Sequence, residues 1–258
     1  MDLATKTSAG AVTTIALGPD ARTLYATRAP ADGRPSNETW DTAHHRRTAV
    51  LAALAGSHLA VRPDGGLLVG DNRTAALPGG QVSGRDLVQG DEIGALAFAA
   101  DGSRLAVGDQ AGRVALWDGK LRARAGVLRN VFPELADSTS DARFGDSSEA
   151  VRALAVSPDG RTLAVGGESG SLQLWDIATR QPLGDPLTTP GEAIDTVAFS
   201  ADSGTVYAGS AHVPLQRYTV DTSQAVVRIC ARVRGAGLTK DQWRTYVPDA
   251  PYRRVCGG

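Results

Sequence analysis

The feature that most constrains this chain is a short unit written more than once. LAVSPDGRTLAVGGESGSLQLWD, from Leu154 to Asp176, aligns without a gap on LAFAADGSRLAVGDQAGRVALWD, from Leu96 to Asp118. Each copy reads as two strands around an Asp-Gly turn, then a second turn and a third strand ending in Trp-Asp. Pro158-Asp159-Gly160 supplies a preset φ, a side chain that bonds its own backbone and a residue tolerant of positive φ, which together make a hairpin. Val151 to Val156 is largely apolar on both faces, with Arg152 the exception, as expected of a strand buried between neighbouring sheets.

Weaker copies flank these two. Taking the residue two before the turn Pro or its equivalent gives Leu17, Val61, Phe98, Val156 and Phe199, at intervals of 44, 37, 58 and 43. A period of about 40–45 residues is that of a β-propeller blade. Three strands per copy, with a fourth after the Trp-Asp, make one four-stranded antiparallel sheet. The expected fold is therefore all-β: about five recognisable four-stranded blades, closed or partial, over residues 1–220.

At this level the units resemble WD repeats. Trp117-Asp118 and Trp175-Asp176 stand where that family places its signature dipeptide, and Trp40-Asp41 is a third instance. The copy starting at Leu59 keeps the turn and loses the tryptophan, and Arg217-Tyr218 replaces the dipeptide in the fifth. The family's Gly-His pair before the first strand is replaced by Asp91-Glu92, Ser148-Glu149 and Gly191-Glu192. Its Asp before the third strand is replaced by Ala111, Ser169 and His212. With the family's hydrogen-bond network gone, stability is expected to rest on apolar packing between sheets.

After the last repeat the period changes. Val226, Ile229, Cys230 and Val233 are spaced as one face of a helix, and Thr239-Lys240-Asp241-Gln242 fits a capping box opening a second. Residues 221–258 are expected to form a two-helix cap docked on the flank of the last blade. The tail ICARVRGAGLTKDQWRTYVPDAPYRRVC resembles the C-terminus of actinobacterial WD-repeat proteins, especially those in which the propeller follows a STAND-type signalling NTPase. If the tail folds back, Cys230 and Cys256 come close enough for a disulfide; a reducing cytosol favours two buried thiols.

Composition removes several function classes. The 27 basic residues balance 28 acidic ones, which argues against a broad affinity for nucleic acid or anionic membrane. Nearly all the bases are Arg, a codon-level sign of a GC-rich bacterial genome. No apolar run of about 18 residues is present to span a membrane, and a cytoplasmic location is the default. No P-loop exists, since none of Lys6, Lys120 and Lys240 closes a Gly-rich turn. Gly166-Gly167-Glu168-Ser169-Gly170 joins two strands and opens no helix. His44 and His45 point to opposite faces if extended, and no nucleophile elbow accompanies the chain's histidines.

No catalytic, cofactor or metal residues are expected. Lys120, Arg122 and Arg124 read as an outer edge strand whose charges prevent pairing with another sheet, in preference to a basic stripe for nucleic acid or an acidic partner. Between the third and fourth copies some 15 extra residues lie within 130–148. Their Phe132, Leu135 and Phe144 suit either a contact loop for a partner or a segment packed back on the blade rim. The expected function is a non-catalytic interaction scaffold or sensor module with a protein partner. The alternative is an enzyme or small-ligand binder using the central channel, and a third is an oligomer formed through an unclosed blade edge.

Overall fold

The computed structural model describes residues 10–30, 34–132, 149–221, 227, 229–232, 237–248, 251–254 and 256. The chain folds into five antiparallel sheets whose strands follow one another in sequence order. The first holds β1 (Gly10–Leu17), β2 (Thr23–Pro30), β3 (Ser36–Asp41) and β4 (Arg46–Leu51). The second holds β5 (Leu59–Val61), β6 (Leu67–Gly70), β7 (Arg73–Ala76) and β8 (Gln81–Gly84). The third holds β9 (Ile93–Phe98), β10 (Arg104–Asp109), β11 (Val114–Asp118) and β12 (Arg124–Leu128). The fourth holds β13 (Val151–Val156), β14 (Thr162–Gly167), β15 (Leu172–Asp176) and β16 (Gln181–Pro182). The fifth holds β17 (Thr196–Phe199), β18 (Thr205–Gly209) and β19 (Gln216–Thr219). These are the blades of a propeller, and the fifth has three strands among the described residues.

The repeat is kept in register. Leu17 pairs with Leu24, Val61 with Leu68, Phe98 with Leu105, Val156 with Leu163 and Phe199 with Val206. The second-strand residue then pairs with Trp40, Ala75, Trp117, Trp175 or Tyr218 on the third strand. Ala75 thus fills the tryptophan position of the second blade. The hairpin after each inner strand turns on an aspartate followed by a residue in the left-handed region. That residue is Gly65, Gly102 or Gly160 in blades 2 to 4, with Ala21 and Ser203 at the same point in blades 1 and 5.

Sheets stack face to face through four apolar clusters. One joins blades 1 and 2 through Tyr25, Leu54 and Leu68, and the next joins 2 and 3 through Val69, Leu87 and Leu105. A third joins 3 and 4 through Ala95, Leu116, Val151 and Trp175. The last joins 4 and 5 through Ala153, Leu174, Ile194 and Val206. The approach is close: a Cβ on Gly108 or Gly166 would collide with Val151 or Ile194 of the next blade. No cluster of described residues joins blade 5 to blade 1, so the apolar stacking runs as an open arc.

The C-terminal segment departs from expectation in two ways. Helix α1 (Lys240–Tyr246) starts at the expected capping box, with the Thr239 hydroxyl accepting from the Gln242 amide and the Gln242 side chain accepting from the Thr239 amide. It buries none of its residues. Residues 229–232 are helical, and Ile229, the exposed member of the expected apolar face, is 60% exposed; Val226 and Val233 lie outside the described residues. Cys230 and Cys256 form a disulfide instead of remaining thiols. The tail folds back through Trp243 packed edge-on against Tyr252 and a Tyr252 hydroxyl donating to the Leu238 carbonyl, which brings the two sulfurs together.

Candidate functional site

Antiparallel order places two kinds of connection at each end of the propeller. Turns between first and second and between third and fourth strands share one rim. Links entering each inner strand share the other with the turns between second and third strands. The Trp-Asp dipeptide serves the first rim and the blade interfaces. Asp41 accepts from the amides of Ala43 and His44 and meets the His44 ring at 2.7 Å. Asp118 accepts from the amides of Lys120 and Ala123, and Asp176 from the amide and hydroxyl of Thr179.

The tryptophans face the preceding blade. The Trp117 indole donates to the Leu87 carbonyl at 3.1 Å and Trp175 to that of Val131 at 3.2 Å, pinning the link that arrives from the blade before. Trp40 donates instead to Glu38, within its own sheet. Glu38 is buried and also accepts from Arg28 at 3.2 Å and Arg47 at 2.8 Å. Burial pushes its pKa up, but the Arg47 and Arg28 guanidiniums outweigh it and hold the carboxyl below its ordinary value.

On the second rim the residues that replace the missing Gly-His pair do its work differently, so apolar packing is not alone. Glu149 accepts from the amides of Ser169 at 2.6 Å and Ser171 at 3.2 Å. Asp91 pairs with Arg113 at 2.7 Å, and Arg113 also meets Asp109. Glu192 accepts from the His212 amide and faces its ring at 3.2 Å. Blade 2 has the histidine-to-aspartate contact itself: Asp71 accepts from the amides of Ser57 and His58 and lies 3.2 Å from the His58 ring. A carboxylate thus ties the entry of the inner strand to the turn before the third strand in blades 2 to 5, through either an amide or a charged side chain.

The inner strands surround a cavity of 260 Å³. Thr14, Leu59, Gly94, Leu96, Ala153, Leu154, Thr196 and Val197 contribute to its wall, so all five blades reach it. Its ionisable groups are His58, Arg152 and Asp195, the last two 3.4 Å apart and each nearly half exposed. Sequence reasoning passed over this trio, although His58 and Asp195 each stand just before an inner strand. A second cavity, of 420 Å³, lies on the opposite rim between blades 2 and 3. It is lined by Arg62, Asp64, Asp101, Asp118 and Lys120; the three carboxylates accept from amides of the turns they belong to, and Arg62 pairs with Asp64 and donates to the Gly119 carbonyl. No group of three or more metal-ligating side chains occurs among the described residues.

Of the three expected contact residues, Phe132 is buried in the cluster between blades 3 and 4 and would meet any side chain placed on Gly167. It is packed back on the blade. Leu135 and Phe144 lie outside the described residues.

Comparison with known proteins agrees with this architecture. The sequence is 43% identical over 54 residues to Protein groucho of Drosophila melanogaster, covering 20% of this chain and 7% of that protein. It is 36% identical over 78 residues to the Ribosome biogenesis protein enp2 homolog of Schizosaccharomyces pombe, covering 30% and 12%. It is 27% identical over 168 residues to Transcription factor unc-37 of Caenorhabditis elegans, covering 64% and 26%. The aligned parts therefore span about a quarter or less of those relatives. The family model for the Nucleolar protein 10-like N-terminal domain, a β-propeller, matches residues 92–243, which is more than half of the sequence, and the chain belongs to that WD-repeat propeller family.

Proposed function

We propose that the chain is a non-catalytic WD-repeat scaffold that holds a protein partner on the rim of turns around the mouth of its central channel. The observation that supports this most is the carboxylate brace in blades 2 to 5, through Asp71, Asp91, Glu149 and Glu192. It holds the rim turns in fixed positions, and a partner docking on a preorganised surface loses less conformational entropy there. Exposed groups of both signs, Arg152, Asp195 and His212, mark that rim as polar and suited to specificity.

The partner we propose is a signalling NTPase of the STAND type, on the strength of the C-terminal tail's resemblance. The chain's own lysines offer no P-loop, so the nucleotide chemistry would reside in that partner. The combined variant Arg152→Glu, His212→Glu is the test. It is expected to fold like the parent and to lose co-purification of a P-loop subunit from the native host; retention of that subunit would contradict docking on this rim.

The competing use of the channel for a small ligand is less well supported by its size. A cavity of 260 Å³ falls below the about 300–1,000 Å³ of ordinary ligand sites. Cytoplasmic residence is the remaining part of the reading, and the Cys230–Cys256 bond bears on it, because structural disulfides persist in oxidising compartments. Thiol trapping in freshly lysed native cells decides: two free thiols support a cytoplasmic protein, and an intact bond contradicts it.

A further inference from the structure

Every internal interface of the propeller is built from the same two positions. On the inner strand, Leu59 and Val61 pack toward blade 1, Leu96 and Phe98 toward blade 2, Leu154 and Val156 toward blade 3, and Val197 and Phe199 toward blade 4. These pairs face the preceding blade. In blade 1 the same two positions are Ile15 and Leu17, and they are 57% and 56% exposed. The register is unchanged there, with Leu17 opposite Leu24 and Leu24 opposite Trp40, so this face is patterned as a blade interface that no blade among the described residues covers.

The other end of the arc is patterned differently. Toward the following blade, blades 3 and 4 present Ala106 with Leu116 and Ala164 with Leu174, all buried. In blade 5 the corresponding pair is Tyr207 with Arg217, and Arg217 is exposed. A guanidinium in the middle of the third strand suits solvent, as the outer face of a terminal repeat does. The two ends are thus unequal: the described face of blade 5 carries a charge where that of blade 1 carries exposed apolar side chains. A second copy of this chain stacking head to tail would have to bury Arg217 against Ile15 and Leu17, which disfavours self-association as the way to cover them.

We infer that the inner-strand face of blade 1 is a docking surface for a WD-type blade carried by another polypeptide. The partner's chemistry follows from the internal interfaces: an antiparallel sheet that turns small residues of its inner strand toward Ile15 and Leu17, as Ala95 and Ala153 do toward the blades that follow them. The surface is separate from the channel rim, and its existence does not depend on what docks there.

The test places a photo-crosslinking phenylalanine analogue at Leu17 of the full chain, expressed in its native host, with a second version carrying it at the rim residue Ser169. The expected Leu17 adduct is a different polypeptide whose crosslinked peptide lies in a repeat with an Asp-Gly turn and a Trp-Asp dipeptide. Adding Ile15→Glu should lower that adduct by about tenfold, the effect of a loss near 1.4 kcal/mol, and leave the Ser169 adduct as it was. Ile15 is exposed, so the thermal midpoint of this variant should match the parent; whatever that variant does, the identity of the Leu17 adduct decides. An adduct with a second copy, an adduct with a polypeptide lacking such repeats, or no adduct at Leu17 overturns the inference. Loss of the Ser169 adduct alone would count against rim docking and not against this surface.

Discussion

Trp175 shows how much one side chain does in this fold. It is buried in the cluster between blades 3 and 4, and its indole reaches the link leaving blade 3, so it joins two sheets through both an apolar contact and a hydrogen bond. Trp175→Ala should cost about 3–5 kcal/mol, the range for emptying a large aromatic site, and a urea melt measures it. Trp40→Ala should also destabilise, but by loosening the Glu38 network within blade 1. The tryptophans and turn aspartates were legible in the sequence because a repeat writes them at the same offset each time. The carboxylate brace was visible only as a departure from a motif. That Glu149 would reach the Ser169 and Ser171 amides depends on the backbone approaching across the sheet end, which no spacing reveals.

Turns and the tail are where elements answer to solution conditions. Each first-to-second-strand turn is capped by an aspartate whose pKa is depressed: Asp20 by the Thr23 amide, Asp64 by the Arg62 guanidinium, Asp101 by the Ser103 amide, Asp159 by the Ser157 hydroxyl and Asp202 by the Ser200 hydroxyl. A carboxyl with a lowered folded-state pKa contributes stability that is present above its unfolded value and lost as pH falls through the folded one. Thermal midpoints should therefore be flat from neutral pH to about 5 and drop below about 4; a maximum on the acid side would contradict the turn assignments. The tail behaves as a separate small unit, with its own disulfide, an edge-on aromatic pair and a helix that buries nothing. Replacing Cys230 and Cys256 by serine should make it protease-sensitive, since closing such a loop is worth about 3 kcal/mol, while the main thermal transition of the propeller stays in place. A shifted main transition would show that the tail braces the blades. Its capping box could be read from Thr239 to Gln242 alone, whereas the exposure of Ile229 could not, because periodicity reports that a face is apolar and not whether anything lies against it.

At the scale of the whole molecule, five copies of one unit make five sheets, and the order of the chain is the order of the arc. Blades 2, 3 and 4 are packed on both sides, and the two copies with strong sequence identity, blades 3 and 4, are among them. Blade count and register could be taken from the repeat, since Leu17, Val61, Phe98, Val156 and Phe199 do occupy one structural position. Closure could not, because an interface needs two faces and the sequence of blade 1 writes its half whether or not a partner is present. Among the described residues this half stands uncovered in an otherwise stacked propeller. Its exposure can be measured by comparing two repeat-equivalent positions, Ile15→Cys and Leu154→Cys, each the sole free thiol in the disulfide-bonded chain. Maleimide labelling of Ile15→Cys should proceed at the rate of an exposed thiol and that of Leu154→Cys should be slower by roughly a hundredfold or more, limited by opening of the blade interface. Equal protection at both positions would mean that the ring closes over blade 1 and would contradict the account.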